Sequence, residues 1–332
     1  MTDRDTWLAK TAEQALEPDL PICDPHHHLW DFPGSLYHVN EFLQDAGGGH
    51  RITKTVFVEC LQNYLSEGPE ALRPVGETQL IDSLATQSNA SGNQTQVAAG
   101  IIGFADLGLG HAVRPVLEAH MAASDRFRGI RHASAWDASE RVHNAHTKPP
   151  SELLRSREFR EGFACLGPLG LTFDAWLYFH QLPELTELAN AFPGVTIVLD
   201  HVAGPLGIGP YGGRREEVFT DWRRGIAELA ECNNVVVKLG GLAMTMMGFG
   251  WHKRDVPPGS IELAETMAPY FYACIERFGA DRCMFESNFP VDKASTSYTV
   301  LWNAFKRLSQ GYSESERAAL FHDTASRVYR LD

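Results

Sequence analysis

The stretch Pro21-Ile22-Cys23-Asp24-Pro25-His26-His27-His28 is a short run that begins with apolar residues and ends in histidines. Short runs of apolar, β-branched or aromatic residues that stop at Gly, Pro, Asp or His are typical of strands. Seven further runs of this kind follow along the chain. The sequence therefore predicts eight strands, at residues 21–26, 53–60, 97–105, 127–133, 171–179, 195–202, 234–239 and 282–289.

Amphipathic helices are predicted between these strands, at residues 113–123, 182–192, 222–232 and 267–278. Strands that alternate with helices predict a parallel sheet, and nearly continuous apolar runs suit strands covered on both faces. Eight such units in 332 residues match a closed barrel, which takes about 250 residues plus insertions. A doubly wound open sheet is the second choice, because no G-x-G-x-x-G turn follows the first strand.

We thus expect an α/β protein with a single (β/α)8 TIM-barrel domain over residues 1–332. Long loops in a barrel often build the site, because the chemistry of such barrels gathers where strands end. Three segments exceed ordinary loop length, at residues 29–51, 83–96 and 204–218.

The composition and net charge indicate which kinds of molecule the chain binds. A formal net charge of −13 argues against a nucleic-acid surface, which needs clustered Lys and Arg, and favours a small organic substrate. The chain contains no run of about 18 apolar residues that could span a membrane. The N-terminal residues 1–10 lack the apolar core of a signal peptide, so we expect a cytoplasmic protein. The six cysteines lack zinc or redox spacing and are expected to be free, and a homo-oligomer is left open.

Polar side chains are predicted at the ends of several strands. Because side chains alternate along a strand, His26 and His28 face the same way and His27 faces oppositely. Two imidazoles on the same side suit a metal chelate. Three later strands add further ionisable candidates at their ends, namely His180, His201 and the segment 286–292.

Five segments together resemble the amidohydrolase superfamily, and specifically its branch of metal-dependent TIM-barrel hydrolases that includes sugar-acid lactonases and pyrone dicarboxylate lactonase. The resemblance covers nearly the whole chain. Its supports are Pro21-Ile22-Cys23-Asp24-Pro25-His26-His27-His28-Leu29-Trp30-Asp31, Arg128-Gly129-Ile130-Arg131-His132, Gln181-Leu182-Pro183-Glu184-Leu185, Val198-Leu199-Asp200-His201 and Lys238-Leu239-Gly240-Gly241.

The resemblance implies that His26 and His28 hold one divalent metal ion, most readily Zn2+. In metal-free lactonases the same pair would instead hydrogen-bond the substrate carbonyl. His180 would be a further ligand, and His201 an electrostatic or proton-transfer partner. The eighth strand departs from the family pattern. Relatives usually carry Ser-Asp-Trp-Pro, whereas this chain has Ser287-Asn288-Phe289-Pro290, and a neutral amide such as Asn288 can orient water or substrate but cannot act as a base.

Another carboxylate is therefore expected to accept the proton. Glu59 is preferred, because the end of its strand neighbours the histidines of the first strand. Asp292 is the second choice, and Glu286 is expected to lie deeper in the barrel. The alternative role of Glu59 is a buried salt bridge with an arginine, since buried carboxylates need partners in any case.

Four residues are predicted to contact the substrate. A guanidinium at Arg131 suits a substrate carboxylate, with structural pairing as its rival role. His132 lies beside it in the sequence, Tyr178 belongs to an aromatic wall, and His252 follows the seventh strand on a loop that contains glycines. Lys238 is expected inside the barrel, paired with Glu286 or Glu59.

The sequence thus predicts a hydrolase in which water attacks a lactone or a related acyl carbonyl, polarised by the histidine cluster with or without a metal. A metal-dependent nonoxidative decarboxylase is the first alternative, because the superfamily also contains such enzymes with a similar opening histidine pair. A catalytically inactive ligand-binding barrel is the second, because the eighth strand lacks its usual aspartate.

Overall fold

The computed structural model describes residues 2–331 and has eight parallel strands at its centre. The strands follow one another in the sheet in the same order as in the chain. Their bounds are Pro21–His27, Arg51–Val58, Gln96–Gly103, Phe127–Arg131, Thr172–Ala175, Ile197–Leu199, Val235–Leu239 and Cys283–Phe285.

The first and eighth strands meet and close the sheet. His28 donates its backbone N–H to the carbonyl of Phe289 at 2.8 Å, and Asn288 donates to the carbonyl of His26 at 2.9 Å. These bonds continue the parallel ladder across the gap between the last strand and the first. The predicted (β/α)8 barrel is therefore confirmed.

Helices cover the outside of the barrel. The four predicted helices are present, and two of them begin earlier, at Arg215 and Ser260. None of the helices within residues 2–331 is long and apolar enough to cross a membrane. The α-helices are Asp3–Leu8, Val39–Ala46, Val75–Ala90, Arg114–Ala123, Arg157–Phe163, Leu182–Ala191, Arg215–Ala230, Ser260–Phe278, Tyr298–Leu308, Glu314–Ala318 and Thr324–Tyr329.

The prediction of a loop at 83–96 is wrong over its first half, because the helix Val75–Ala90 covers residues 83–90. This helix buries Val75, Thr78, Ile81 and Ala85 along one face. Their spacing of three and four residues is that of an amphipathic helix. The polar residues that suggested a loop occupy its solvent face.

Several strands are shorter than predicted, because the chain turns away as soon as it leaves the barrel wall. The sixth strand ends at Leu199, and Asp200–Ala203 form a 3-10 turn in which His201, Val202 and Ala203 all have positive φ. Such a conformation costs about 1–3 kcal/mol for each non-glycine residue. The turn places the ring of His201 4.5 Å from the ring of His26.

The amino-terminal end of the barrel is filled by apolar packing. Val328 and Tyr329 of the last helix pack against Cys23, Val56 and Met284 of the strands. Barrel enzymes carry their chemistry at the opposite end, where the strands finish.

Candidate active site

Two histidines of the first strand face the interior of the barrel. Nε2 of His26 lies 3.3 Å from Nε2 of His28. His27 points the other way, where its ring stacks on Phe42 and its Nε2 lies 2.8 Å from the hydroxyl of Thr55. The predicted alternation of the three histidines is therefore confirmed.

Three imidazoles of the cluster have their Nδ1 atoms engaged by the protein. Nδ1 of His28 bonds to the carbonyl of Val58 at 2.8 Å, and Nδ1 of His201 bonds to Oε1 of Glu286 at 2.6 Å. Nδ1 of His26 lies 3.0 Å from Oε2 of Glu286. For His28 and His201, a protein oxygen at Nδ1 leaves Nε2 turned to the site. Nδ1 of His26 also lies near Nζ of Lys238, and its Nε2 lies 3.4 Å from Nη1 of Arg131. Burial and the Lys238 ammonium hold the pKa of His26 well below its usual value, so this imidazole is neutral.

Lys238 is fully buried on the seventh strand. Its Nζ donates to Oδ2 of Asp174 at 2.6 Å and lies 3.0 Å from Oδ1 of Asp200 and 3.2 Å from Nδ1 of His26. Tyr329 donates its hydroxyl to the same oxygen of Asp174 at 2.8 Å. The expected pairing of Lys238 with Glu286 or Glu59 is thus corrected, because the carboxylates of the fifth and sixth strands supply the direct contacts.

Glu59 forms a buried pair with Arg131. Nε of Arg131 donates to Oε1 at 2.7 Å, and Nη2 donates to the backbone carbonyl of Glu59 at 2.6 Å. Nε2 of His146 lies 3.1 Å from Oε2. Burial raises the pKa of Glu59, but the charges of Arg131 and His146 outweigh it and bring the pKa to about 2. The salt bridge that was the alternative role of Glu59 is present, and its role as a base stays a prediction.

Asn288 and Asp292 bond to each other. Nδ2 of Asn288 donates to Oδ1 of Asp292 at 2.9 Å, and Oδ2 of Asp292 accepts the backbone N–H of Ala243 at 3.3 Å. Burial raises the pKa of Asp292 well above its ordinary value. Their catalytic roles stay predictions.

His180 and His252 lie apart from the imidazole cluster. Nε2 of His180 bonds to the carbonyl of Trp136 at 3.0 Å, and its ring stacks on Tyr211. The fifth strand ends at Ala175, so His180 falls in the next helical turn instead of at the strand end. His252 lines a surface depression beside the N-terminal helix, with Trp7.

His132 and Tyr178 lie in packed surroundings near the mouth. His132 is buried between Phe104 and Phe159, and burial lowers its pKa to about 4. Tyr178 donates its hydroxyl to the carbonyl of His143 and packs against Trp176. Trp176 in turn lies 4.8 Å, ring to ring, from His201. Substrate contacts by His132, Tyr178, His252 and Arg131 stay predictions.

The polar groups at this end of the barrel fit a divalent cation. Two buried cations, Arg131 and Lys238, and two of the imidazoles are in contact with four fully buried carboxylates. Oδ2 of Asp200 has no hydrogen bond within the described chain, whereas Oδ1 lies 3.0 Å from Nζ of Lys238. His26, Asp200 and His201 can bring ligand atoms within 4.8 Å of one another, and the 3.3 Å between the Nε2 atoms of His26 and His28 suits two bonds of about 2.0–2.1 Å at a tetrahedral ion. The four carboxylates are Glu59, Asp174, Asp200 and Glu286.

Five residues of this site were given no catalytic, substrate-binding or metal role in the prediction, although Glu286 and Lys238 were already expected inside the barrel. Asp200 stands beside His201 and Glu286 stands two positions before Asn288, so both lay within segments already singled out. Asp174 and Lys238 are charged residues inside apolar strand runs, which is a usable signal for an inward-facing group. His146 lies in an irregular loop and offered no local signal.

Because the site contains buried ion pairs, we expect the protein to lose stability steeply in acid. The pKa of Glu59 falls from 4.5 to about 2 because Arg131 and His146 outweigh the effect of burial, and that of Glu286 falls from 4.5 to about 2 because its contacts with His201 and His26 do so. A carboxyl whose folded pKa is depressed contributes stability above its unfolded pKa and loses it as the pH falls through the folded value. Melting temperature should therefore drop sharply between pH 4.5 and 2.

Thermal melts followed by circular dichroism across this range measure that loss. Asp24 and Asp174 have the opposite effect on stability as the pH falls, since burial raises both pKa values to about 6. Their unfavourable effect has mostly vanished below pH 4. A melting temperature that stays level from pH 4.5 to 3 would contradict the ionised state of Glu59 and Glu286.

Comparison with known proteins identifies the family of the chain over nearly its whole length. The family model described as amidohydrolase matches residues 23–331. The y4mH protein of Sinorhizobium fredii is 35% identical over 330 residues, with 94% of this chain and 99% of the relative covered. L-fucono-1,5-lactonase of Burkholderia multivorans is 26% identical, with 93% and 95% covered. A crystal structure of a Burkholderia multivorans amidohydrolase with bound zinc matches with a TM-score of 0.70 at 21% identity, over 94% of this chain and 100% of that one. The chain therefore belongs to the amidohydrolase family.

Proposed function

We propose that this protein hydrolyses the lactone ring of a neutral, hydroxylated compound such as a sugar-acid lactone. The observation that carries the proposal is the cluster of His26, His28 and His201, in which Nδ1 of His28 and Nδ1 of His201 meet protein oxygens and the Nε2 atoms of His26 and His28 lie 3.3 Å apart. A relative that covers nearly the same length is an L-fucono-1,5-lactonase.

The charges of the site favour a neutral substrate. Arg131 is engaged by Glu59, and Lys238 by Asp174 and Asp200. A substrate carboxylate would have to compete with these internal carboxylates for its cation. A hydroxylated ring needs only hydrogen-bond partners, which imidazoles and carboxylates supply. We therefore favour a neutral lactone over a carboxylated pyrone.

The residues that would hold a divalent ion such as Zn2+ are His26 and His28, whose Nε2 atoms lie 3.3 Å apart. Such an ion, when bound, polarises a carbonyl and lowers the pKa of water. The amidohydrolase of similar fold from Burkholderia multivorans was crystallised with bound zinc, which is consistent with a divalent ion at this end of the barrel. With the ring held by Glu286, Nε2 of His201 takes a proton from the attacking water.

The reaction balances with one proton moved across the site. The water oxygen bonds to the lactone carbonyl carbon, the ring carbon–oxygen bond breaks, and His201 returns the proton to the departing ring oxygen. The side chains of His26, His201 and Glu286 are almost completely buried. Exclusion of bulk water strengthens their electrostatic action on the carbonyl.

The proposal is tested by acid release from a panel of neutral aldonolactones, followed with a pH indicator. A carboxylated pyrone and a hydroxybenzoate serve as comparison substrates, with carbon dioxide release measured on the latter. Ring opening of a neutral lactone supports the proposal. Preference for the pyrone, or release of carbon dioxide without lactone hydrolysis, contradicts it, and failure to turn over any of them would favour a ligand-binding barrel. Elemental analysis and a chelator series decide between the metal-dependent and metal-free routes.

A further inference from the structure

A single oxygen of Glu286 receives two hydrogen bonds from His201. Oε1 accepts Nδ1–H of the imidazole at 2.6 Å and the backbone N–H of the same residue at 3.1 Å. Glu286 is fully buried, and His201 is 2% exposed. The backbone bond fixes the carboxylate oxygen, and the fixed oxygen then sets the orientation of the ring.

Two glycines after the seventh strand make room for this pair. A Cβ at Gly240 would lie 2.3 Å from Cγ of Glu286, and a Cβ at Gly241 would lie 2.5 Å from Cβ of His201. Gly241 also has a φ of +70°, which a residue with a side chain adopts at a cost. The Gly240-Gly241 end of the strand is therefore shaped around the contact between Glu286 and His201.

The eighth strand supplies a carboxylate two residues before Asn288. The Asn288 amide bonds to Asp292, whereas Glu286 bonds to an imidazole of the site. We propose that Glu286 is a positioning residue, which holds the imidazole of His201 with its proton on Nδ1 and its Nε2 turned to the reacting centre. This inference rests on the proposed function for its kinetic consequence, while the state of the imidazole can be measured without it.

Two substitutions at position 286 separate the effect of the hydrogen-bond acceptor of Glu286 from the effect of its negative charge. Glu286→Gln keeps a carbonyl oxygen, and the backbone N–H of His201 keeps that oxygen directed to the ring. Glu286→Leu has similar bulk but no acceptor. The matched control is Glu77→Gln, because Glu77 is also fully buried and its Oε1 also accepts two backbone N–H groups, those of Cys60 and Gln62.

The test is the tautomer of His201 in the metal-free protein, read from its imidazole 15N resonances by long-range NMR. We expect the Nδ1–H form in the wild type, in Glu286→Gln and in Glu77→Gln, and the Nε2–H form in Glu286→Leu. An Nε2–H form in the wild type, or an Nδ1–H form retained in Glu286→Leu, would overturn the proposal. If Glu286→Leu does not fold, Glu286→Asp replaces it, since its shorter side chain moves the oxygen away from the ring and should populate both tautomers.

Turnover on the lactone identified by the panel is the second measurement. We expect kcat to fall about 10-fold in Glu286→Gln and about 10²–10⁴-fold in Glu286→Leu. KM should change little, because a wrongly oriented imidazole impairs proton transfer more than it impairs substrate binding. Equal kcat in both variants would overturn the positioning role. If the protein opens no lactone, the NMR result still decides the role of Glu286, and only the proposed function fails.

Discussion

Replacing His201 with asparagine should abolish most turnover while leaving the protein folded. His201 has a φ of 53°, and asparagine tolerates this left-handed conformation better than most residues. The Asn Nδ2 can also donate to Oε1 of Glu286 in place of the imidazole. What the variant loses is Nε2, and loss of a group that moves the proton typically costs about 10²–10⁴-fold in rate. We expect kcat to fall by about 10³-fold with KM little changed.

Steady-state kinetics and thermal melts of the same preparation test this expectation. His201→Ala is the companion variant, because alanine gives Glu286 no side-chain donor and lacks asparagine's tolerance of positive φ. It should melt at a lower temperature than His201→Asn and be equally inactive. If His201→Asn turned over at a rate near that of the wild type, His201 would be a packing residue beside Trp176 and the proposed proton transfer would be wrong.

The barrel and the place of its site could be predicted from local patterns. Strand runs and helical periodicity repeat along the chain, and they follow from the burial of one element against the next. The same-side placement of His26 and His28 follows from strand geometry alone, and the structure bears it out. Strands, helices and the alternation of side chains along a strand could therefore be predicted from the sequence.

Pairings across the barrel could not be predicted in the same way. The fifth strand is buried at every position, so its pattern does not show whether Asp174 faces inward. The partner of Lys238 depends on how the neighbouring strands are staggered, which the sequence does not encode locally. The end of the sixth strand at Leu199 likewise depends on the left-handed turn that follows it.

His180 illustrates the limit of a resemblance. A family motif assigns its role by position in the sequence, but the end of the fifth strand at Ala175 leaves His180 in the next turn, where its ring meets Tyr211. Asp200 and His201 instead lie beside His26, with side-chain ligand atoms of the three residues within 4.8 Å of one another.

Glu59 can be either a base or the partner of a buried arginine, and Glu59→Gln distinguishes the two. With its pKa at about 2, the Glu59 carboxylate is a weak proton acceptor near neutral pH, because the best general bases have a pKa close to the working pH. Its removal instead leaves Arg131 buried without its charged partner. Breaking a buried ion pair by losing one member costs about 3–5 kcal/mol in other proteins. We expect Glu59→Gln to lower the free energy of unfolding by about 3 kcal/mol, because glutamine retains an acceptor for Nε of Arg131.

Denaturant unfolding and turnover per folded molecule measure the two roles separately. The ion-pair role predicts a large loss of stability with turnover within about tenfold of the wild type, whereas the role of base predicts a loss of order 10²-fold or more at nearly normal stability. The double variant Glu59→Gln with Arg131→Gln removes the unpaired charge as well. It should therefore be more stable than the sum of the two single losses predicts, since contacting residues couple by about 0.5–3 kcal/mol. Additive losses would show that the contact at 2.7 Å contributes little to stability, and only a loss of turnover of order 10²-fold or more in Glu59→Gln would assign Glu59 the role of base.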